Sequence, residues 1–203
     1  MALEDYNKKR NFKETAEPEG KAKVSGKKLK FVIQRHAATR LHYDFRLEME
    51  GVLKSWAVPK GPSLNPADKR LAMMVEDHPY SYRTFEGSIP EGNYGAGEVE
   101  IWDEGTYEPI EKVEGKSDDL VMRAELHKQS LKFILHGKKL KGEFALVKIK
   151  SSKDENAWLL IKHKDKYAVD EDYNAEEYTL KTSKVTAYLE EKEGKKKMTR
   201  PKV

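Results

Sequence analysis

The chain has 203 residues, 39 Lys and Arg against 35 Asp and Glu, and a net charge of +4, so an anionic partner must be met by a local basic patch rather than by the field of the whole molecule. The sequence contains no cysteine, which excludes a disulfide framework, a thiolate nucleophile and a Cys-ligated zinc site. The start, M-A-L-E-D-Y-N-K-K-R, has no apolar stretch of the signal-peptide kind, and no apolar run approaches the roughly 18 residues of a membrane span, so the expectation is a cytoplasmic protein without membrane contact.

Residues 1–27 are rich in Lys, Glu, Pro and Gly, with Leu3, Tyr6, Phe12 and Val24 as scattered apolar positions, and read as a flexible N-terminal arm. Leu29 to Gln34 is the first expected strand. From Leu41 the sequence alternates: Leu41, Tyr43, Phe45 and Leu47 on one side, His42, Asp44 and Arg46 on the other. A strand has a side-chain period of two, so an imidazole, a carboxylate and a guanidinium project in a row from one face. Glu50-Gly51 is a hairpin turn into V-L-K-S-W-A-V at 52–58, and the proline-stiffened loop that follows carries Lys60 and Arg70.

L-A-M-M-V at 71–75 is the next strand and runs into E-D-H-P-Y-S-Y, where the proline leaves His78 at a strand end with Tyr82 close behind. Gly87, Gly92, Gly95 and Gly97 precede the alternating V-E-I-W; they lack P-loop spacing and read as tight turns rather than a phosphate cradle. Residues 117–130 are a short helix or an irregular connection. Strands at 131–136, 142–150 and 158–163 complete a mainly β chain of about eight strands, in a barrel or sandwich at 28–168. Residues 169–203 are acidic and then strongly basic, and read as a charged C-terminal tail or an interdomain linker.

His42 and Asp44, with His36 six residues upstream, offer two imidazoles and one carboxylate. That donor set fits Mn²⁺, Fe²⁺ or Zn²⁺ and leaves coordination positions open, while the neighbouring Arg46 suits an anion held against the metal. Lys60 and Arg70 would complete an anion clamp. His127, His136 and His163 have no partners nearby in sequence and read as structural or surface residues; Trp56, Trp102 and Trp158 fall in strand patterns and are expected in the core.

These residues resemble a known family. F-V-I-Q-R-H-A-A-T-R-L-H-Y-D-F-R-L-E, G-V-L-K-S-W-A-V-P-K-G-P-S, E-D-H-P-Y-S-Y, G-S-I-P-E-G-N-Y-G-A-G-E-V-E-I-W-D, L-K-G-E-F-A-L-V-K and W-L-L-I-K-H occur in the order found in the polynucleotide 3′-phosphoesterase module of bacterial ATP-dependent DNA ligase D, over residues 4 to 168. The resemblance implies a compact eight-stranded β-barrel, a bacterial monomer, and Mn²⁺ or another divalent transition metal held by His36, His42 and Asp44. It implies that Arg46 and His78 hold or protonate the phosphate, that Tyr82 supports His78, that Lys60 and Arg70 contact the phosphate, and that Gln34 touches the bound ion or anion.

The implied activity is removal of a 3′-phosphate, and of a 3′-terminal ribonucleoside, from DNA or RNA-tailed DNA 3′ ends in non-homologous end joining. The implied partners are ligase and polymerase domains in cis or in trans. Nucleoside removal is associated with the arm pattern R-D-F…E-P. Here the arm supplies Arg10, Glu17 and Pro18, but Asn11 stands in place of the aspartate, a departure that bears on nucleoside removal and leaves the phosphatase site untouched. Two readings from other classes use the same residues: a non-catalytic DNA-end-binding or docking module, and a small-molecule metal oxygenase, against which Arg46, Lys60 and Arg70 argue.

Overall fold

The computed structural model of the chain describes residues 3–21, 26 and 28–198; the expected arm-to-barrel boundary at residue 27 and the terminal 199–203 lie outside the described residues. Nine antiparallel strands follow one another: β1 (Leu29–Ala37), β2 (Leu41–Met49), β3 (Val52–Val58), β4 (Lys69–Pro79), β5 (Gly87–Ile89), β6 (Gly97–Pro109), β7 (Ser130–Gly137), β8 (Lys141–Lys148) and β9 (Ala157–Lys162). They pair in the order β1-β2-β3-β4-β9-β8-β7-β6, and β6 returns to β1, which closes an eight-stranded barrel; β5 is an extra strand on β6.

The alternation read from sequence sets the two faces. Phe31, Ile33, Tyr43, Phe45, Leu47, Trp56 and Val58 point inward and meet Phe133, Phe144, Trp102 and Trp158 in one core, with each of the three tryptophans at most 4% exposed. The β2–β3 turn has Glu50 at φ 53° and Gly51 at φ 73°, the left-handed pair that matches the twist of a two-residue hairpin. Residues 118–127 form α2, capped by Ser117, whose side chain accepts from the Leu120 N–H at 3.3 Å; Asp118 and Asp119 sit in its first turn, where the helix dipole favours them.

Two segments expected to be loose are docked. The arm forms a short helix, α1 (Glu4–Lys8), and its Leu3 and Tyr6 join Val52, Leu53, Tyr82, Phe85, Ile89 and Val99 in a second apolar cluster. This second layer lies on the outside of the barrel. Tyr6 is fully buried and donates through its hydroxyl to the Pro18 carbonyl at 2.7 Å. What anchors the rest of the arm is polar complementarity, which apolar periodicity does not register.

Likewise, the segment expected to be a tail packs into the main core before its helix α3 (Lys184–Met198) begins. Ala175 and Tyr173 enter the main core, Trp102 donates to the Ala175 carbonyl at 3.2 Å, and Glu176 takes two hydrogen bonds from Arg35, at 2.8 and 2.6 Å.

Arg35 is 2% exposed, and desolvation of its guanidinium is offset by Glu176 and Glu100. Glu176→Ala should therefore lower unfolding stability by about 2 kcal/mol, the scale of a hydrogen bond to a buried charge. Urea denaturation reads this directly, and an unchanged midpoint would mean that the Arg35–Glu176 pair does not stabilise the barrel.

Candidate active site

The outward face of β1 and β2 carries the polar row predicted from alternation. His36 pairs across to His42 and Gln34 to Asp44, so four polar residues of two neighbouring strands share one face. The imidazoles of His36 and His42 lie with centroids 4.8 Å apart, and both flank Asp44: His36 Nδ1 at 3.4 Å from Oδ2 and His42 Nε2 at 3.6 Å from Oδ1. One ligand atom from each of the three residues can be chosen so that all lie within 4.8 Å of one another, and no other such group of His, Cys, Asp and Glu occurs among the described residues.

The far nitrogen of each ring is tied to a backbone carbonyl. His36 Nε2 is 2.8 Å from the Gly95 carbonyl and His42 Nδ1 is 2.9 Å from the Arg40 carbonyl. A carbonyl can only accept, so these nitrogens carry the protons, and in the neutral form of each ring the other nitrogen presents its lone pair to a carboxylate. Lone pairs converging on an anion repel one another unless a cation lies among them. The arrangement of imidazoles, carbonyls and carboxylate could hold a metal ion, with outer contacts to both rings already in place. Gly95 reaches His36 from a tight turn, with φ +78°, so the glycine-rich loop acts here through its carbonyl.

Arg46 is 2% exposed and uses its fork on three acceptors: Nε on Gln34 Oε1 at 2.8 Å, Nη1 on Ser55 Oγ at 2.9 Å and Nη2 on Asp44 Oδ2 at 3.0 Å. Burial alone would raise the Asp44 carboxyl; Arg46, and then His36 and His42 when their rings are protonated, outweigh it and hold the group well below the usual carboxylate range. Gln34, expected at the ion or anion, instead stands behind Arg46. Its amide donates to the Tyr82 and Phe85 carbonyls, at 3.0 and 2.8 Å, and fixes the guanidinium through its oxygen.

The opposite wall brings His78, Tyr82 and the arm together. His78 is 4% exposed; its Nδ1 lies 2.9 Å from the Glu76 carbonyl, which leaves Nε2 to accept from Arg10 Nη2 at 3.2 Å. Burial, then Arg46 and Arg10, push its pKa well below the ordinary histidine value, so the ring is neutral. Tyr82 packs against His78 edge to face at 4.8 Å, lies under the Arg46 guanidinium at 4.9 Å, and donates to Glu17 Oε1 at 3.1 Å. Arg10 bridges Glu17 at 2.9 Å and Glu76 at 3.1 Å. Asn11, by contrast, is exposed and accepts from the Lys13 N–H at 3.3 Å.

These groups surround a cavity of about 210 Å³ lined by His36, His42, Asp44, Arg46, His78 and Tyr82, together with Arg10 and Glu17 from the arm. Glu76 and Tyr94 also line it and were not singled out from sequence; Glu76 had a signal, since it stands two positions before His78 and so shares its strand face.

Lys60 and Arg70 are not brought here. They line a separate depression with Leu41, Tyr43 and Glu176, which belongs to the other face of β2, and Arg70 donates to Asp68 and the Tyr173 carbonyl, at 2.8 and 2.6 Å. His136 pairs with Glu108 at 2.9 Å and His163 with Glu143 at 3.4 Å, both away from the pocket.

Comparison with known proteins fits this geometry. A family model described as the DNA Ligase D 3′-phosphoesterase domain matches residues 34–148. The multifunctional non-homologous end joining protein LigD of Pseudomonas aeruginosa is 50% identical over 165 residues, 80% of this chain and 19% of the relative. The protein of the same name from Mycobacterium bovis is 47% identical over 147 residues, 72% of this chain and 18% of its own length; that of Mycolicibacterium smegmatis is 44% identical over 173 residues, 84% and 22%. The chain thus spans about a fifth of the length of these relatives.

The neutral state of His78 gives stability a pH dependence of known sign. Its folded pKa lies below the ordinary value of 6.5, so as pH falls through 6.5 the unfolded chain takes up a proton that the folded chain refuses. Stability is then full above that value and declines below it. His78→Asn should flatten the fall in denaturation midpoint between about pH 6.5 and pH 5. Equal slopes for the two proteins would contradict the neutral assignment.

Proposed function

The chain belongs to the DNA ligase D 3′-phosphoesterase domain family, and on that premise we propose that it is a metal-dependent phosphoesterase that heals DNA 3′ ends by removing a terminal phosphate. The observation that carries this reading is the pair of histidines whose outer nitrogens are held by carbonyls while their lone pairs face Asp44, beside the buried Arg46. Mn²⁺, or another divalent transition metal, would be held by His36, His42 and Asp44. When bound it would supply Lewis-acid polarisation of a phosphoryl oxygen.

The protein's own groups would divide the remaining work. A 3′-phosphomonoester is dianionic, and Arg46, fixed on three sides, would set positive potential beside it without reorganising during the reaction. His78 is neutral in the free protein and has no proton on Nε2 to give. An entering dianion would offset Arg46 and Arg10 and favour its protonation, after which Nε2 could hold the phosphate or donate to the departing 3′ oxygen. Tyr82 would keep the imidazole in place from its edge. Lys60 and Arg70, on the other face of β2, would serve the phosphate only by contacting a more distant part of the nucleic acid.

Removal of a 3′-terminal ribonucleoside from RNA-tailed ends is part of the same proposal. It is supported by the arm, which puts Arg10 and Glu17 in the wall of the pocket, while Asn11, the departure from the family pattern, faces solvent. The names of the relatives and the fraction of them that the chain spans further support action alongside ligase and polymerase domains, in cis or in trans, in non-homologous end joining.

A 3′-phosphorylated and a ribonucleotide-tailed primer-template, each incubated with and without Mn²⁺, test the reading. Wild-type protein should release inorganic phosphate only with metal, and His42→Ala and Asp44→Ala should abolish release with the fold intact. His78→Ala should lose about 10²–10⁴ in kcat while Mn²⁺ affinity is kept. Salt-dependent DNA binding with no phosphate release in any metal would leave a non-catalytic end-binding module instead.

A further inference from the structure

Two tyrosines line the pocket, and they are in opposite situations. Tyr82 is 2% exposed, with His78 against its edge and Arg46 against its ring, so it has no surface to offer a substrate. Tyr94 is 49% exposed, on the glycine-rich loop one residue before the carbonyl that holds His36. Among the large apolar side chains that stand exposed on the described residues, it alone lines this cavity.

Its ring is also braced. Lys9 Nζ lies 4.8 Å from the ring centroid and pairs with Glu76 at 3.1 Å, while the Arg10 guanidinium lies 5.6 Å from the same ring. Cations at an aromatic face hold the ring by its quadrupole. An aromatic side chain fixed beside an anion site is what a nucleobase needs, because every base has a π-face and stacking tolerates any sequence.

We propose that Tyr94 is the platform on which the 3′-terminal nucleobase stacks while its phosphate sits at His36, His42, Asp44 and Arg46, a proposal that rests on the phosphoesterase reading. The base lies one sugar away from the phosphate, and Tyr94 is the exposed aromatic at the mouth of that cavity. Stacking there would give the site a preference for nucleotide ends over other phosphomonoesters, without base identity being read. Because the loop that carries Tyr94 also supplies the Gly95 carbonyl to His36, docking of the base and orientation of a metal ligand share one turn of chain.

The test uses a primer-template whose 3′-phosphorylated terminal nucleotide is 2-aminopurine, whose fluorescence falls when the base stacks. Without metal, wild type and Tyr94→Phe should quench it, and Tyr94→Leu should not. With Mn²⁺, Tyr94→Leu should raise KM for the base-bearing end about tenfold or more with kcat retained, and should leave KM for an abasic 3′-phosphate end unmoved. Equal quenching by wild type and Tyr94→Leu, or an equal rise in KM on the two ends, would overturn the proposal. Wild-type quenching decides the platform and wild-type phosphate release decides the reading beneath it, so the two can fail separately.

Discussion

Asp44 sets the constraint on which the rest of the site depends. It is a buried carboxylate with a guanidinium on one side and two imidazole nitrogens on the other, and backbone carbonyls select the tautomers in which the neutral rings present lone pairs to it. Arg46 is the strongest of the groups that keep the carboxylate ionised, but it lies to one side and does nothing for the repulsion among His36, His42 and Asp44 when both rings are neutral. A divalent cation at that point would satisfy three acceptors at once. Desolvation, which would ordinarily penalise a charged carboxylate, then strengthens every contact it makes.

The architecture explains how a polar row survives in a buried place. A closed barrel has its apolar face inside, so the outward faces of β1 and β2 are free to carry polar groups. Those faces are covered in turn by α1, β5 and the turn after β4, whose apolar residues form the second cluster around Tyr6, Val52 and Val99. The chemistry sits between the two layers. There the arm supplies Arg10 and Glu17, which pair with each other, and the strand β4 supplies Glu76 and His78, which both meet Arg10, while Glu17 also accepts from Tyr82. The arm is thus a wall of the pocket rather than an appendage.

Much of this was legible in the sequence because it depends on local periodicity. Alternation placed His42, Asp44 and Arg46 on one face, and the turn at Glu50-Gly51 fixed the register that sets Ser55 against Arg46. Arg70 is separated from the pocket by the register shift in β4 between Val75 and His78, which reverses the alternation: with Lys60, it lines the depression beside Leu41 and Tyr43 on the other face. Docking of the arm and of the Glu176 segment includes ion pairs between residues 66 and 141 positions apart in the chain, and no periodicity announces such contacts. Gln34 was placed at the site but not in its role, since a glutamine's position can be read from alternation whereas its hydrogen-bond partners cannot.

The central claim is that His36 and His42 are held in opposite tautomers with their free nitrogens aimed at Asp44. Nitrogen-15 NMR of the histidine side chains in metal-free protein, at a pH where both rings are neutral, tests it most directly. His36 should carry its proton on Nε2 and His42 on Nδ1, as the Gly95 and Arg40 carbonyls require. A proton on His36 Nδ1 or on His42 Nε2, facing the carboxylate, would make the cluster a hydrogen-bonded network and contradict the account of a prepared metal centre.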